Sequence, residues 1–167
     1  MKKLTHTLLY VSLVMLAACS SIDCPLNNVV LLKSGFYSAN GDTLALALTD
    51  TMTVTTQGIT ENGKEEVLIV NQLSGKHTFS MALSYEGRED EYHFHFWGDD
   101  YDVRDTVRVT KENTPHFESP DCSPRFFHNI TDVWCTHNII DSISINYKTV
   151  DYGTQNTHLK FYLHPVY

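Results

Sequence analysis

Apolar and polar positions alternate with a period of two along most of this chain. Tyr92, Phe94 and Phe96 alternate with His93, His95 and Trp97, and Val103, Val107 and Val109 alternate with Arg104, Thr106, Arg108 and Thr110. The same holds for Ile143, Ile145 and Tyr147 against Ser142, Ser144 and Asn146, and for Leu159, Phe161 and Leu163 against His158, Lys160, Tyr162 and His164. Successive side chains of a strand point to opposite faces, so each run predicts a strand with one dry and one wet face. Further strands are predicted within residues 29–37, 44–48, 52–56, 66–71, 78–84 and 126–134, separated by turn signals such as Asn40-Gly41-Asp42, Glu61-Asn62-Gly63 and Gly98-Asp99-Asp100. No helical period follows the first eighteen residues. The pattern predicts an all-β fold, an antiparallel β-sandwich of immunoglobulin-like type with about eight to ten short strands. Residues 44–48 and 66–71 are apolar on both parities, which predicts cover on both faces and favours a sandwich over a solvated ligand barrel.

The N-terminus breaks the period. Lys2 and Lys3 lead into an apolar run from Leu8 to Leu16, closed by Leu16-Ala17-Ala18-Cys19. The run is shorter than the roughly 20 residues that span hydrocarbon, and it ends like the lipobox of a bacterial lipoprotein, with a thiol ready for acylation. This predicts a helical signal peptide over residues 1–18, lipidation at Cys19, a lipidated tether over 19–27 and a single β-domain over 28–167. Ser20 follows the cysteine in place of the aspartate that retains many lipoproteins at an inner membrane, and no acidic export run is present. By resemblance to those sorting rules, the expected address is the periplasmic leaflet of the outer membrane.

Composition narrows the partners. The chain has 12 Lys and Arg against 20 Asp and Glu, a formal charge of −8. Loss of Lys2 and Lys3 with the leader makes the body more acidic still. Without a basic stripe, nucleic acid and anionic membrane surfaces are disfavoured, and the expected membrane attachment is through lipid.

Three cysteines remain after Cys19. Cys24 and Cys122 both lie in short Asp-Cys segments bounded by proline, and their pairing would tie the tether to the body of the fold. The alternatives join Cys122 to Cys135 across a hairpin turning at His128-Asn129, where Pro124 would weaken the ladder, or leave all three reduced and buried. No Cys-x-x-Cys is present to suggest a redox pair or structural zinc.

Other constellations are less specific. His93 and His95 share a strand face and are the weak candidates for a metal, with no third ligand assignable. His116, Ser119, Asp121, Ser123 and His128 fall in one Pro-rich segment without a nucleophile elbow, so no catalytic residue is assigned. Trp97, Tyr101 and Trp134 are candidate stacking aromatics for a glycan. Asp42-Thr43-Leu44, Asp50-Thr51-Met52, Asp105-Thr106-Val107 and Asp141-Ser142-Ile143 repeat an Asp-Ser/Thr-apolar triplet that resembles an O-glycosylation sequon. Parity predicts that Thr43, Thr51, Thr106 and Ser142 point outward. Strand starts after acidic turns would produce the same triplet.

Ser20-Ser21-Ile22-Asp23-Cys24-Pro25-Leu26-Asn27-Asn28, Thr114-Pro115-His116-Phe117-Glu118-Ser119 and Asp121-Cys122-Ser123-Pro124 resemble an uncharacterised family of Bacteroidales lipoproteins. Phe126-Phe127-His128 and Thr136-His137-Asn138 followed by Asp141-Ser142-Ile143 extend the likeness. The resemblance implies a Cys24–Cys122 bridge and transfers no catalytic residue or cofactor. The expected function is a non-enzymatic accessory lipoprotein of the envelope that binds a protein partner. A glycan or small-ligand module is the alternative, and a metal-dependent or serine hydrolase the third reading.

Overall fold

The structure is a computed structural model that describes Cys24 and residues 29–38, 40–61 and 63–164. The leader, Cys19 and most of the tether lie outside the described residues. Ten strands are described: β1 (Leu32–Tyr37), β2 (Thr51–Thr60), β3 (Gly63–Leu73), β4 (Thr78–Met81), β5 (Glu89–Trp97), β6 (Asp102–His116), β7 (Arg125–Cys135), β8 (Ile140–Ile145), β9 (Thr149–Val150) and β10 (Leu159–Leu163). They form two sheets, β4-β1-β10-β8 and β3-β2-β5-β6-β7-β9, packed as a β-sandwich. Among the described residues no helix is long and apolar enough to cross a membrane.

The dry faces make the core. Phe36 of β1, Phe79 of β4 and Phe161 of β10 meet Phe94 and Phe96 of β5, with Phe79–Phe161 and Phe94–Phe161 centroids 5.4 and 5.5 Å apart. Rings tilted at such separations combine large area burial with favourable quadrupole geometry. Met52, Val54, Tyr92, Val107, Val109, Ile130, Leu159 and Ile140 complete the layer.

Three expectations need correction. The pairing of β1 with β10 is parallel, so the smaller sheet is mixed. Residues 44–48 are no strand: only Leu46 is buried there, its N–H bonded to Lys76 O, and a turn follows. Residues 66–71 do form β3, but as an exposed edge in place of a strand covered on both faces. The Pro-rich segment is strand only at its two ends, 114–116 in β6 and 125–128 in β7, with a disulfide-fastened connection between them. Past the Glu89↔Thr110 pairing β5 has ended, so β6 has a strand neighbour only in β7 and can carry Pro115 opposite Phe126.

Cys24 and Cys122 are bonded, with S–S 2.06 Å and Cα–Cα 5.7 Å across a sequence separation of 98. Closing so long a loop stabilises by up to about 4–5 kcal/mol in the chain-entropy model. Cys135 is free and buried at the far end of β7, which runs unbroken through His128-Asn129 and leaves no hairpin to face Cys122.

Candidate functional site

The end of the sandwich at which Cys24 is fastened contains a buried polar network. Lys111 of β6 is fully buried, and its ammonium lies 3.0 Å from Asp90 Oδ2 on β5. Asp90 also accepts from the Ser84 N–H and hydroxyl, and Lys111 Nζ reaches Ser84 Oγ at 3.4 Å. Tyr92 donates its hydroxyl to Ala82 O at 2.6 Å. Burial, reinforced by the Asp90 carboxylate, holds that phenol well above its ordinary pKa, so it acts as a donor. One turn of strand further out, His128 donates from Nδ1 to Asn113 Oδ1 at 2.7 Å, and Asn113 Nδ2 donates to Tyr85 O and Gly87 O. Burial, and then the neighbouring Lys111 charge, push His128 down to about 4, against a smaller opposing pull from Asp90. The network's effect is to clamp the β4–β5 connection, residues 82–88, onto the projecting half of β6.

Beside that clamp opens a cleft of about 640 Å³ between the connection and the end of β2, lined by Gly58, Ile59, Val67, Tyr85, Glu86 and Glu89 among others. Its outer wall is β3, at the edge of the larger sheet. Val67 lies across Gly58 so closely that a Cβ at that position would meet Val67 Cγ2 at 2.4 Å, which is why a glycine sits within β2. Leu68 is 52% and Ile59 81% exposed, so the edge and the cleft mouth present apolar side chains to solvent. A row of unpaired strand groups flanked by apolar side chains is a template for another strand. Glu86 and Glu89 give the cleft an acidic rim.

A second buried carboxylate holds the opposite end. Asp105 Oδ1 accepts from the Thr136 hydroxyl and the Asn138 N–H, and Oδ2 from the N–H groups of Ile139 and Ile140, the three backbone bonds each being 2.8 Å. Burial alone would raise this carboxyl, but these four donors hold it below its ordinary value. The turn it organises includes His137 at φ +54°, beside the buried Cys135. Burial lifts that thiol above its usual pKa, and the sulfur is inaccessible.

The sequence candidates fall in scattered places. His93 and His95 share the outer face, but His93 lies 3.7 Å from Glu91 and His95 2.8 Å from Asp102, and among the described residues no three potential ligands converge. Trp97 packs on His95, Tyr101 is held by Asp50 with its phenol pushed up to about 12 by burial and that carboxylate, and Trp134 lies under the Arg108 guanidinium. Trp97 pairs opposite Asp102 and Trp134 opposite Arg108, six positions apart on β6 or roughly 20 Å at strand rise, so the two indoles do not face one sugar. His116 stacks on Phe127 on the outer face, whereas His128 points inward, and the Ser/Asp/His set of that segment is not brought together. Thr43 and Ser142 are exposed, and Thr51 and Thr106 half-buried on the outward parity.

Asp90, Asp105 and Lys111 are the residues that sequence reasoning missed. Their signal was present, because Asp90 continues the dry parity of Tyr92, Phe94 and Phe96, and Asp105 and Lys111 continue that of Val103, Val107 and Val109. A charge on the dry parity of a strand requires a buried partner.

The model of a family of unknown function (DUF6452) matches residues 51–163. No curated protein and no solved structure matches this chain.

Proposed function

The chain belongs to that family of unknown function, and on this premise we propose that it is a non-enzymatic accessory protein of the cell envelope, held by lipid at Cys19 in the outer membrane and facing the periplasm. Its task in this reading is to bind an extended, apolar segment of an envelope protein along β3. The observation that carries it is the edge position of β3 in the larger sheet, with Leu68 exposed on that strand and Ile59 exposed at the cleft mouth. Strand addition supplies main-chain hydrogen bonds, and alternate side chains enter the adjoining groove. The acidic rim at Glu86 and Glu89, on a chain of net charge −8, selects a segment that also carries Lys or Arg.

A photo-crosslinking residue placed at Leu68 in the native host tests this. The expected product is one predominant adduct with an envelope protein, mapping to one apolar and basic segment, and lost when Ile59→Lys is added. Because Ile59 is exposed, that substitution should leave the unfolding midpoint unchanged. Adducts spread over many proteins, or none, would overturn the reading.

A further inference from the structure

The Cys24–Cys122 bridge sets how far the body can stand from its attachment point. Resting on the anchoring reading above, Cys24 lies five positions after Cys19, a covalent reach of roughly 17 Å, whereas the thirteen positions from Cys19 to Leu32 would allow about 45 Å. On that reading the bridge holds Cys122 within a short reach of the lipidated residue, in place of letting the sandwich tumble on a long leash.

What that end presents is apolar. Phe117 is 61%, Tyr85 62% and Val29 58% exposed. Val29 and Tyr85 line a second cavity, of about 380 Å³, together with Phe126 and Arg125. Tyr85 stacks on Phe126 with centroids 5.4 Å apart, Pro124 of the loop bearing Cys122 also lines that cavity, and Phe117 begins the same loop just past the His116–Arg125 pair. Asn113 fixes the Tyr85 backbone from below, so the aromatic tip is supported and presented outward.

We propose that this end is a membrane-docking face, in which Phe117, Tyr85 and Val29 enter the headgroup region of a zwitterionic lipid surface and fix the orientation of the lipidated body. Phenylalanine and tyrosine suit that boundary, where an apolar body meets a wet layer. The surface is zwitterionic because the surrounding charge is acidic: Glu86, Glu89, Glu118 and Asp121 outnumber Arg88 and Arg125, and anionic headgroups would be repelled. Docking in this pose leaves β3, which runs away from the loop end, open along its length.

The test uses the full lipidated chain in phosphatidylethanolamine–phosphatidylcholine vesicles, with nitroxides at Phe117→Cys and, as a control at the far end, Leu48→Cys. The thiol of Cys135 is buried, Cys24 and Cys122 are bonded to each other, and Cys19 of the lipidated chain carries the acyl group, so labelling is confined to the new sites. The label at 117 should show oxygen accessibility of the headgroup–acyl boundary and the label at 48 that of water, although Leu48 is the more exposed residue in the free protein. Adding Tyr85→Asp, or phosphatidylglycerol, should move the label at 117 outward. An aqueous label at 117 on a chain whose N-terminal peptide carries acyl mass overturns the docking face alone. An N-terminal peptide without acyl mass overturns the anchoring reading and this one with it.

Discussion

Asp90 and Asp105 are both buried aspartates on the dry face of the larger sheet, and they are stabilised in different ways. Asp90 is matched by a cation, Lys111, and shares the contact with Ser84; Asp105 has no cation among the described residues and is held by a hydroxyl and three backbone N–H groups. The difference follows from what each must fasten. Asp105 closes a tight turn whose own N–H groups already converge, so the carboxylate supplies acceptors that the backbone lacks. Asp90 must fasten a loop to the half of β6 that has outrun β5, where few backbone donors are within reach and a long side chain has to bridge the gap. The end that needed a cation is also the end with the disulfide, the two described clefts and the exposed Tyr85 and Phe117. The other end is held without a cation, by one hydroxyl and three backbone N–H groups.

The strongest way to break this comparison is to remove the cation. Lys111→Met keeps the length and apolar stem but leaves Asp90 buried without its partner, and urea unfolding at pH 7 should show a loss of about 3–5 kcal/mol. A loss below about 1 kcal/mol would mean that Ser84 alone satisfies Asp90 and that the two carboxylates do not differ in kind. Asp105→Asn comes next, because the side-chain amide keeps one acceptor oxygen but turns an N–H₂ toward at least one backbone N–H donor. Its expected cost is about 2–3 kcal/mol, with faster amide exchange confined to Asn138, Ile139 and Ile140. Exchange that quickens across the whole sheet instead would show that Asp105 supports more than its turn.

The smallest effect concerns acid. His128 has an ordinary pKa of 6.5 and a folded value of about 4, so the unfolded chain binds the extra proton in that interval. Its contribution is therefore intact above pH 6.5 and is lost as pH falls toward 4. Between about pH 6.5 and 4.5 the wild type should lose about 2 kcal/mol more than His128→Asn. Equal losses would show that the imidazole is hydrated in the folded state. His158, also buried, has its pKa lowered chiefly by burial and adds in the same direction, so the variant keeps part of the slope.

The face of each residue was legible in the sequence, since a period of two is a local property of a strand. His93 and His95 outward, Phe94 and Phe96 inward, and the bonding of Cys24 to Cys122 all agree with expectation. The site was less legible. Ser119 to His128 drew attention by chemical type, yet alternation along β7 sends Phe127 and His128 to opposite faces and disperses the cluster. Asp90, Asp105 and Lys111 were visible only as violations of the pattern, and nothing in the pattern says which violation is matched to which.

By itself the sequence determined that this chain is all-β and which side of each strand is dry. Those are consequences of residue size and polarity at a fixed two-residue repeat. Only the tertiary structure decided that β3 is an edge, that β10 runs parallel to β1, and that Asp90 meets Lys111 while Asp105 meets backbone. Apolar residues on both parities at 66–71 suit a covered strand and a partner-seeking edge equally, because alternation records burial of a face and carries no information about the neighbour across the hydrogen bonds. That neighbour is chosen by the closing of long loops and the fit of the two sheets, which no local pattern contains.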